Sequence, residues 1–529
     1  MFLPHDAIMR AKRVLQRMKV VPVERRGQFA PNIIANLASF LVSVFIGLWY
    51  TPYLISHLGV AAYGLIPLAI TVTSYFGLAT ITLNGAVGRF LIIALERKDT
   101  IEANRIFNTA LVGNVIVVCV LFVPGIIVAS HASAFFNVPG GFERSFGCLL
   151  FCIICSFFLT VVSSVFSLGS YCRNRFDLSS TVELLGNLVR ISTIVALFTC
   201  FLPRIWHIGV GALAAGVFAT VSSVIICQRL MPMVHVRPGL FNLQTLRELS
   251  RMGWWFFVSQ IGALLFLGID LIVVNKMFGA EAGGRYGAVA QWPALIRSLG
   301  GVIAGVFGPT ILMLYARHNI PGLVLYCQQA VRFLGLAMAL PIGLICGFSS
   351  SLLSVWLGPK FASMAPLMSV MTIHLSVNLG VLPLFNIRVA TNKVRVPGIV
   401  TCVMGVVNLG LALLLAGPAG LGMYGVAAAG AIVLTSVNVI FGPWYAAHIL
   451  GIPGGSFFGG TFSAICAALA LTAASWSVSR YFQIASWTGL IVGGGGIAVV
   501  YSIYIFRFGL NKAERGLALA IVRRYLRQS

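Results

Sequence analysis

The chain has 529 residues, of which 59% are hydrophobic and only 9% are charged. Apolar runs extend from end to end, too many for one water-soluble core, so the composition excludes a soluble domain and points to a polytopic membrane protein. The net charge of +24 would suit nucleic acid if the basic residues formed one soluble patch, and they do not.

Residues 1–29 are basic and partly amphipathic, and read either as a helix lying on the cytoplasmic face or as a disordered positive tail. The first apolar run begins near Asn32, too late and too long for a cleaved secretory signal, so it is expected to remain as the first span. Further spans are expected at 62–92, 106–130, 146–170, 183–202 and 209–228, after a first one at 32–56. Residues 229–252 are basic, carry Pro232 and Pro238, and read as the link between two halves. Spans at 253–279, 285–315, 327–348, 364–388, 397–416 and 424–447 follow, and two more at 456–476 and 485–507 bring the total to about fourteen.

The halves repeat. Leu58-Gly59 with Tyr63-Gly64 recurs as Phe278-Gly279 with Tyr286-Gly287, and Val123-Pro124 with Gly141 recurs as Leu340-Pro341 with Gly358. Gly209-Val210 recurs as Gly425-Val426, and all these pairs lie roughly 216 to 223 residues apart in one order. The fold class expected is therefore an all-α polytopic membrane protein with two parallel six-helix bundles and two additional C-terminal helices. In residue terms this is a basic segment 1–29, a bundle 30–228, a linker 229–252, a second bundle 253–448, two further spans 449–507 and a basic tail 508–529. An even number of spans per bundle gives both repeats one orientation and leaves a cleft between them.

With the N-terminus inside, roughly 26 of the 36 Lys and Arg fall in cytoplasmic segments, about 5 in external loops and about 5 within spans. That asymmetry places both termini in the cytoplasm and assigns the basic tails to topology and to contacts with anionic lipid.

Of the twelve acidic residues, only Asp270 falls deep inside an expected span. It lies about 9 residues before the turn that joins spans 7 and 8, and Arg297 about 11 after it, so both sit roughly 13 to 16 Å below one surface. The pair reads either as a site for substrate and for a proton or sodium ion, or as a structural ion pair. The other in-span cations are Arg89, Arg190, Lys276 and Arg332. Arg89 and Arg190 either snorkel to the headgroups or face a wet cavity; in a cavity, their excess over acidic groups would select an anionic cargo. Asn84, Gln260, Asn275, Gln291 and Asn408 are candidate cavity-lining amides, of the kind that bind sugar hydroxyls or join helices to one another. Cys152 and Cys155 form a CxxC pair inside FCIICSFF and read as small buried residues, so no metal or cofactor is expected. No Walker-type phosphate loop and no HExxH occurs, and the expected external loops are too short for a catalytic domain, so neither ATP hydrolysis nor enzymatic catalysis is expected.

The stretches WYTPYLISHLGVAAYGL, GIDLIVVNKMFGAEAGGRYGAVAQ and SLLSVWLGPKF resemble the bacterial polysaccharide and O-antigen flippases of the Wzx type, in the multidrug/oligosaccharidyl-lipid/polysaccharide (MOP) exporter superfamily. The resemblance runs from about Asn32 to about Arg507, through nearly the whole chain. It implies two lobes about a central cavity. It further implies ion-coupled alternating access that moves an undecaprenyl-diphosphate-linked oligosaccharide across the bacterial inner membrane, for lipopolysaccharide or exopolysaccharide. On this resemblance Arg89, Arg190 and Arg297 supply a cationic lumen and Asp270 the coupling carboxylate. The partners implied are the lipid-linked oligosaccharide, a proton or sodium ion and membrane lipids, with polysaccharide polymerase and chain-length machinery as further candidates and no nucleic acid. The other reading is an ion-coupled exporter of small soluble molecules with the same fold; the absence of acidic residues deep in spans 1–6 speaks against cationic drugs.

Overall fold

The computed structural model describes residues 29–509 except Asn174 and Asn392, and its regular structure is helical throughout. The basic N-terminal segment before Phe29 and the tail after Gly509 lie outside the described residues.

The first half contains α1 (Phe29–Leu58), α2 (Val60–Phe76), α3 (Leu78–Glu96), α4 (Thr100–Ser130), α5 (Glu143–Cys172), α6 (Phe176–Cys200) and α7 (Trp206–Leu230). α2 and α3 together make the second expected span, divided at Gly77. α5 packs along α7, α6 against α7 and α4 against α5, while α1 lies on α6.

The second half contains α8 (Leu243–Leu267), α9 (Ile269–Gly305), α10 (Gly308–Ala316), α11 (Ile320–Gly347) and α12 (Ser349–Leu357). It continues with α13 (Ala365–Ile373), α14 (Phe385–Ala390), α15 (Arg395–Ala416), α16 (Gly422–Thr435) and α17 (Gly442–Leu450). The last two helices are α18 (Gly459–Phe482) and α19 (Trp487–Tyr504). α15 packs on α8 and α16, and α18 packs along α11.

The fourteen expected spans fall largely on helix, the tenth being broken at 379–384. By length and composition, ten helices among the described residues could cross a membrane, or eleven if the bent pair Pro359–Asn378 and Leu382–Ala390, at 51°, is one span. One of the ten, Gln260–Ala316, covers parts of two expected spans, which meet at a non-helical kink at Gly279. Prolines inside α1, α2, α4, α9 and α11 are tolerated because neighbouring helices and local adjustment satisfy the freed carbonyls.

Successive spans alternate between two faces. The turns at Gly59, 131–142, 275–284, 348–364 and 483–486 share what is here termed the upper face; those at 97–99, 231–242, 317–319 and 451–458 share the lower face. The glycine pairs of the repeat have matching backbones. Gly59 (φ 80, ψ 163) corresponds to Gly279 (φ 86, ψ 178), and Gly141 (φ 86) to Gly358 (φ 99). A positive φ with extended ψ is essentially restricted to glycine, so each repeat sets its upper turn with the same residue for the same reason.

The connector between halves differs from a free loop. Asn104 donates to Met233 O at 2.9 Å and accepts from His235 N at 2.8 Å. One turn on, Asn108 donates to His235 O at 2.8 Å and accepts from Arg237 N at 2.6 Å. The connector is therefore strapped to α4. Asn242 then accepts from Thr245 N at 2.9 Å and starts α8, ten residues before the expected start of the seventh span at 253.

Candidate functional site

The seventh span breaks at Gly268. This residue ends α8 and serves as N-cap of α9, which places Asp270 in the first turn of the new helix. A carboxylate in the first turn of a helix is favoured by the positive end of its dipole.

Two side chains meet that carboxylate. Tyr286 donates its hydroxyl to Asp270 Oδ2 at 3.2 Å from the next span, and Asn408 on α15 brings its Nδ2 to 3.5 Å from Oδ1 while donating to Leu265 O at 3.1 Å. Asn408 is fully buried and its Oδ1 has no hydrogen-bond donor. Gly430 on α16 completes the surround: a Cβ there would stand 3.5 Å from Asp270 Oδ2 and 3.9 Å from Asn408 Oδ1, so a larger residue would fill the gap.

Asp270, Tyr286, Gln291, Arg297 and His374 line one cavity of about 280 Å³, with Pro67 and Thr71 of α2 also on its wall. The cavity thus lies between the two bundles. Among the described residues the ion pairs within 4.0 Å join Arg105 to Glu102, Arg175 to Asp177 and Arg285 to Glu281, so Asp270 and Arg297 share the cavity without a salt bridge. Arg297 makes no hydrogen bond among the described residues, and its guanidinium remains available to a ligand.

The polar track continues along the bent tenth span. Asn378 donates through Nδ2 to His374 O at 2.8 Å and to Thr435 Oγ1 at 3.0 Å, and the same amide lies 3.0 Å from His374 Nδ1. His374 is absent from the sequence-based candidates; an ionisable residue inside an expected span was the signal for it.

The remaining candidates fall elsewhere. Asn275 is buried and belongs to a clasp between the bundles. Asn137 N donates to Asn275 Oδ1 at 3.1 Å, Asn137 Nδ2 to the carbonyls of Asn275 and Lys276 at 2.8 and 2.9 Å, and Asn275 Nδ2 to Asn137 O at 3.3 Å. Asn275 is therefore spent on the upper-face closure and does not line the cavity. Gln291 lines the cavity and also accepts from Thr51 Oγ1 of α1 at 2.7 Å. Trp356 Nε1 donates to Leu48 O at 2.6 Å, which joins α12 to α1. At Gly64 the bundles meet backbone to backbone, since a Cβ there would stand 2.6 Å from Ala280 O. On the lower half α3 packs against α8.

Arg89 is exposed on α3 and stands apart from the cavity. Arg190 is half-buried on α6, its guanidinium carbon 6.0 Å from the centre of the Tyr50 ring and its Nε without an acceptor. Gln260 is half-buried on α8 and does not contribute to the cavity wall. The side chain of Asn84 lies outside the described residues. Arg388, close to the boundary of its expected span, is buried between the rings of Phe385 at 4.6 Å and Phe441 at 5.8 Å, with Nε and Nη2 lacking acceptors.

A second, apolar groove of about 880 Å³ runs between α11, α18 and α19, walled by Leu336, Ala467, Leu471, Val492 and Val500, with Arg332 also on its wall.

Residues 29–315 match the family model described as "Polysaccharide biosynthesis protein". The membrane protein EpsK of Bacillus subtilis (strain 168), itself uncharacterized, is 37% identical over 506 residues, covering 94% of this chain and 98% of EpsK. The chain belongs to the polysaccharide biosynthesis protein family. Within this family its fold is that of the MOP exporters. The lipid II flippase MurJ in an inward closed conformation superposes with a TM-score of 0.62 at 14% identity, over 90% of this chain and 98% of MurJ. A multidrug resistance MATE transporter of the MOP superfamily, inward-facing, gives 0.54 at 15% identity, over 79% of this chain and 98% of that one. This polysaccharide biosynthesis protein is a multi-pass membrane protein, and its fold is the one shared by MurJ and the MATE transporters.

Proposed function

We propose that the protein flips an anionic undecaprenyl-diphosphate-linked oligosaccharide from the inner to the outer leaflet of the bacterial inner membrane, by ion-coupled alternating access. The upper face is then external and both termini are cytoplasmic. One observation carries the reading: Arg297 faces the cavity between bundles with no carboxylate paired to it. An unpaired guanidinium in such surroundings is costly, and a diphosphate relieves that cost through bidentate, charge-assisted hydrogen bonds.

Asp270 serves coupling in this account. Its oxygens, together with the undonated Oδ1 of Asn408, suit a sodium ion, while a proton would sit on the carboxylate itself. Cargo and coupling ion then occupy adjacent parts of one cavity, so binding of one alters the field felt by the other. The apolar groove beside α19 gives the polyprenyl chain a wall that hydrophilic cargo would not need. The flipped product feeds surface or exopolysaccharide assembly, where a polymerase and chain-length machinery would take it over.

The test is a deletion strain without a redundant flippase, assayed for surface polysaccharide and for undecaprenyl-linked glycan inside the cell. Loss of the surface glycan with internal accumulation of the lipid-linked precursor is expected. Normal surface glycan in that strain would sink the proposal.

A further inference from the structure

On the side of α18 away from the apolar groove, a pocket of about 690 Å³ opens near the upper face between α18, the start of α12 and α13. Its upper wall is polar and cationic. Arg480 lies with its guanidinium carbon 5.7 Å from the centre of the Trp476 ring and has no ion pair among the described residues. Opposite it, Ser349, Ser350 and Ser351 form the first turn of α12, whose N-cap, Phe348, has no side chain able to cap the orphan N–H groups. Ser349 lines the pocket, is only 7% exposed, and makes no hydrogen bond through its hydroxyl. Ser351 and Ser479 are paired with each other at 2.7 Å.

A helix N-terminus, a guanidinium and a buried unpaired hydroxyl that converge on one space recognise an anionic oxygen cluster. No carboxylate lines the pocket to oppose it. The lower wall has the opposite chemistry: Leu469, Ala473 and Cys346 continue the pocket along the helices, Leu469 about 16 Å below Arg480 along α18. Trp476 on the pocket wall is 56% exposed, and the residues that follow Arg480, Tyr481 and Phe482, are 83% and 68% exposed, as expected at the depth of lipid headgroups. A soluble anion would need no apolar extension, and a sugar would need no unpaired cation.

We propose that this pocket binds a phosphate-bearing lipid of the leaflet at the upper face, with its phosphate on Arg480 and the first turn of α12 and its chain along Leu469 and Ala473. The lipid is a phosphodiester glycerolipid. It would wedge α18 against α12 and α13 at a site separate from the inter-bundle cavity.

The full-length protein in detergent, titrated with dioleoyl phosphatidylglycerol and read by native mass spectrometry, tests this. The tightest lipid adduct is expected to weaken about tenfold in Arg480→Gln and to survive in Arg480→Lys. Ser349→Val is expected to weaken it as well, and provides the reading if Arg480→Gln does not fold. Dioleoylglycerol, which lacks the phosphate, should not replace the lipid, and inorganic phosphate should not displace it. Unchanged adducts in both Arg480→Gln and Ser349→Val would overturn the proposal. So would equal binding of dioleoylglycerol, or displacement by inorganic phosphate or by a soluble oligosaccharide, which would mark an apolar, a plain anion or a glycan site.

Discussion

Tyr286 donates its hydroxyl to Asp270 Oδ2 at 3.2 Å, and the carboxylate makes no salt bridge to Arg297 in the same cavity. The carboxylate meets neutral donors on spans 8 and 11, and the guanidinium sharing its cavity makes no hydrogen bond among the described residues. In the proposed mechanism, separating the two charges within one cavity would divide the labour between ion and substrate.

Tyr286→Phe removes one hydrogen bond to a charged group, which is generally worth about 1.5 to 3 kcal/mol. The ion concentration that gives half-maximal transport is expected to change by about tenfold or more, with membrane insertion unaffected. An unchanged ion dependence in transport assays would show that this hydroxyl does not serve coupling.

Asp270 and Arg297 share a cavity without a salt bridge, so exchanging them is not expected to restore function. Asp270→Ala and Arg297→Ala are each expected to abolish transport in cells while leaving expression intact. The double variant Asp270→Arg with Arg297→Asp should remain inactive. Full activity in the swap would mean that mutual attraction is all the pair contributes.

The Asn137–Asn275 clasp joins the bundles at the upper face through four hydrogen bonds. The proposed alternating access would have to break them. Asn275→Ala should favour the upper-open state by about 1 to 3 kcal/mol, seen as greater labelling of a cysteine placed at Thr71 by an impermeant reagent from the upper side. A disulfide between Asn137→Cys and Asn275→Cys, in a cysteine-free background, should block transport until it is reduced.

Gly64 makes the same point through sterics. A side chain there would meet Ala280 O at 2.6 Å, so the bundles cannot close at their present distance. Gly64→Val is expected to cost the closed state about 1 to 3 kcal/mol and to shift the labelling in the same direction as Asn275→Ala. No shift in either variant would place the gate elsewhere.

Hydropathy made the spans legible, because apolar length alone decides what can cross a bilayer. The repeat of Gly59 as Gly279 carried backbone angles that the structure shows to match. Asp270 and Arg297 could be placed at one depth by counting from their shared turn, and they line one cavity. Counting could not say which way a side chain turns. The partner of Asn275 lies 138 residues away at Asn137, and Asn408 meets Asp270 from another span at the same separation. Equivalent amides in the sequence thus became a clasp in one case and a carboxylate partner in the other. Arg388 stacks on Phe441 across a π-helical segment, Ser436–Phe441, whose irregularity no hydropathy pattern reveals.

The most direct measurement is flipping itself, in liposomes containing the purified protein and a fluorescent undecaprenyl-diphosphate-linked oligosaccharide, with an imposed proton or sodium gradient. Headgroup accessibility to an external glycosidase should change faster with the protein than without it, should respond to one of the two gradients, and should lose that response in Asp270→Asn. Accessibility indifferent to the protein, or equally gradient-driven in Asp270→Asn, would contradict the account.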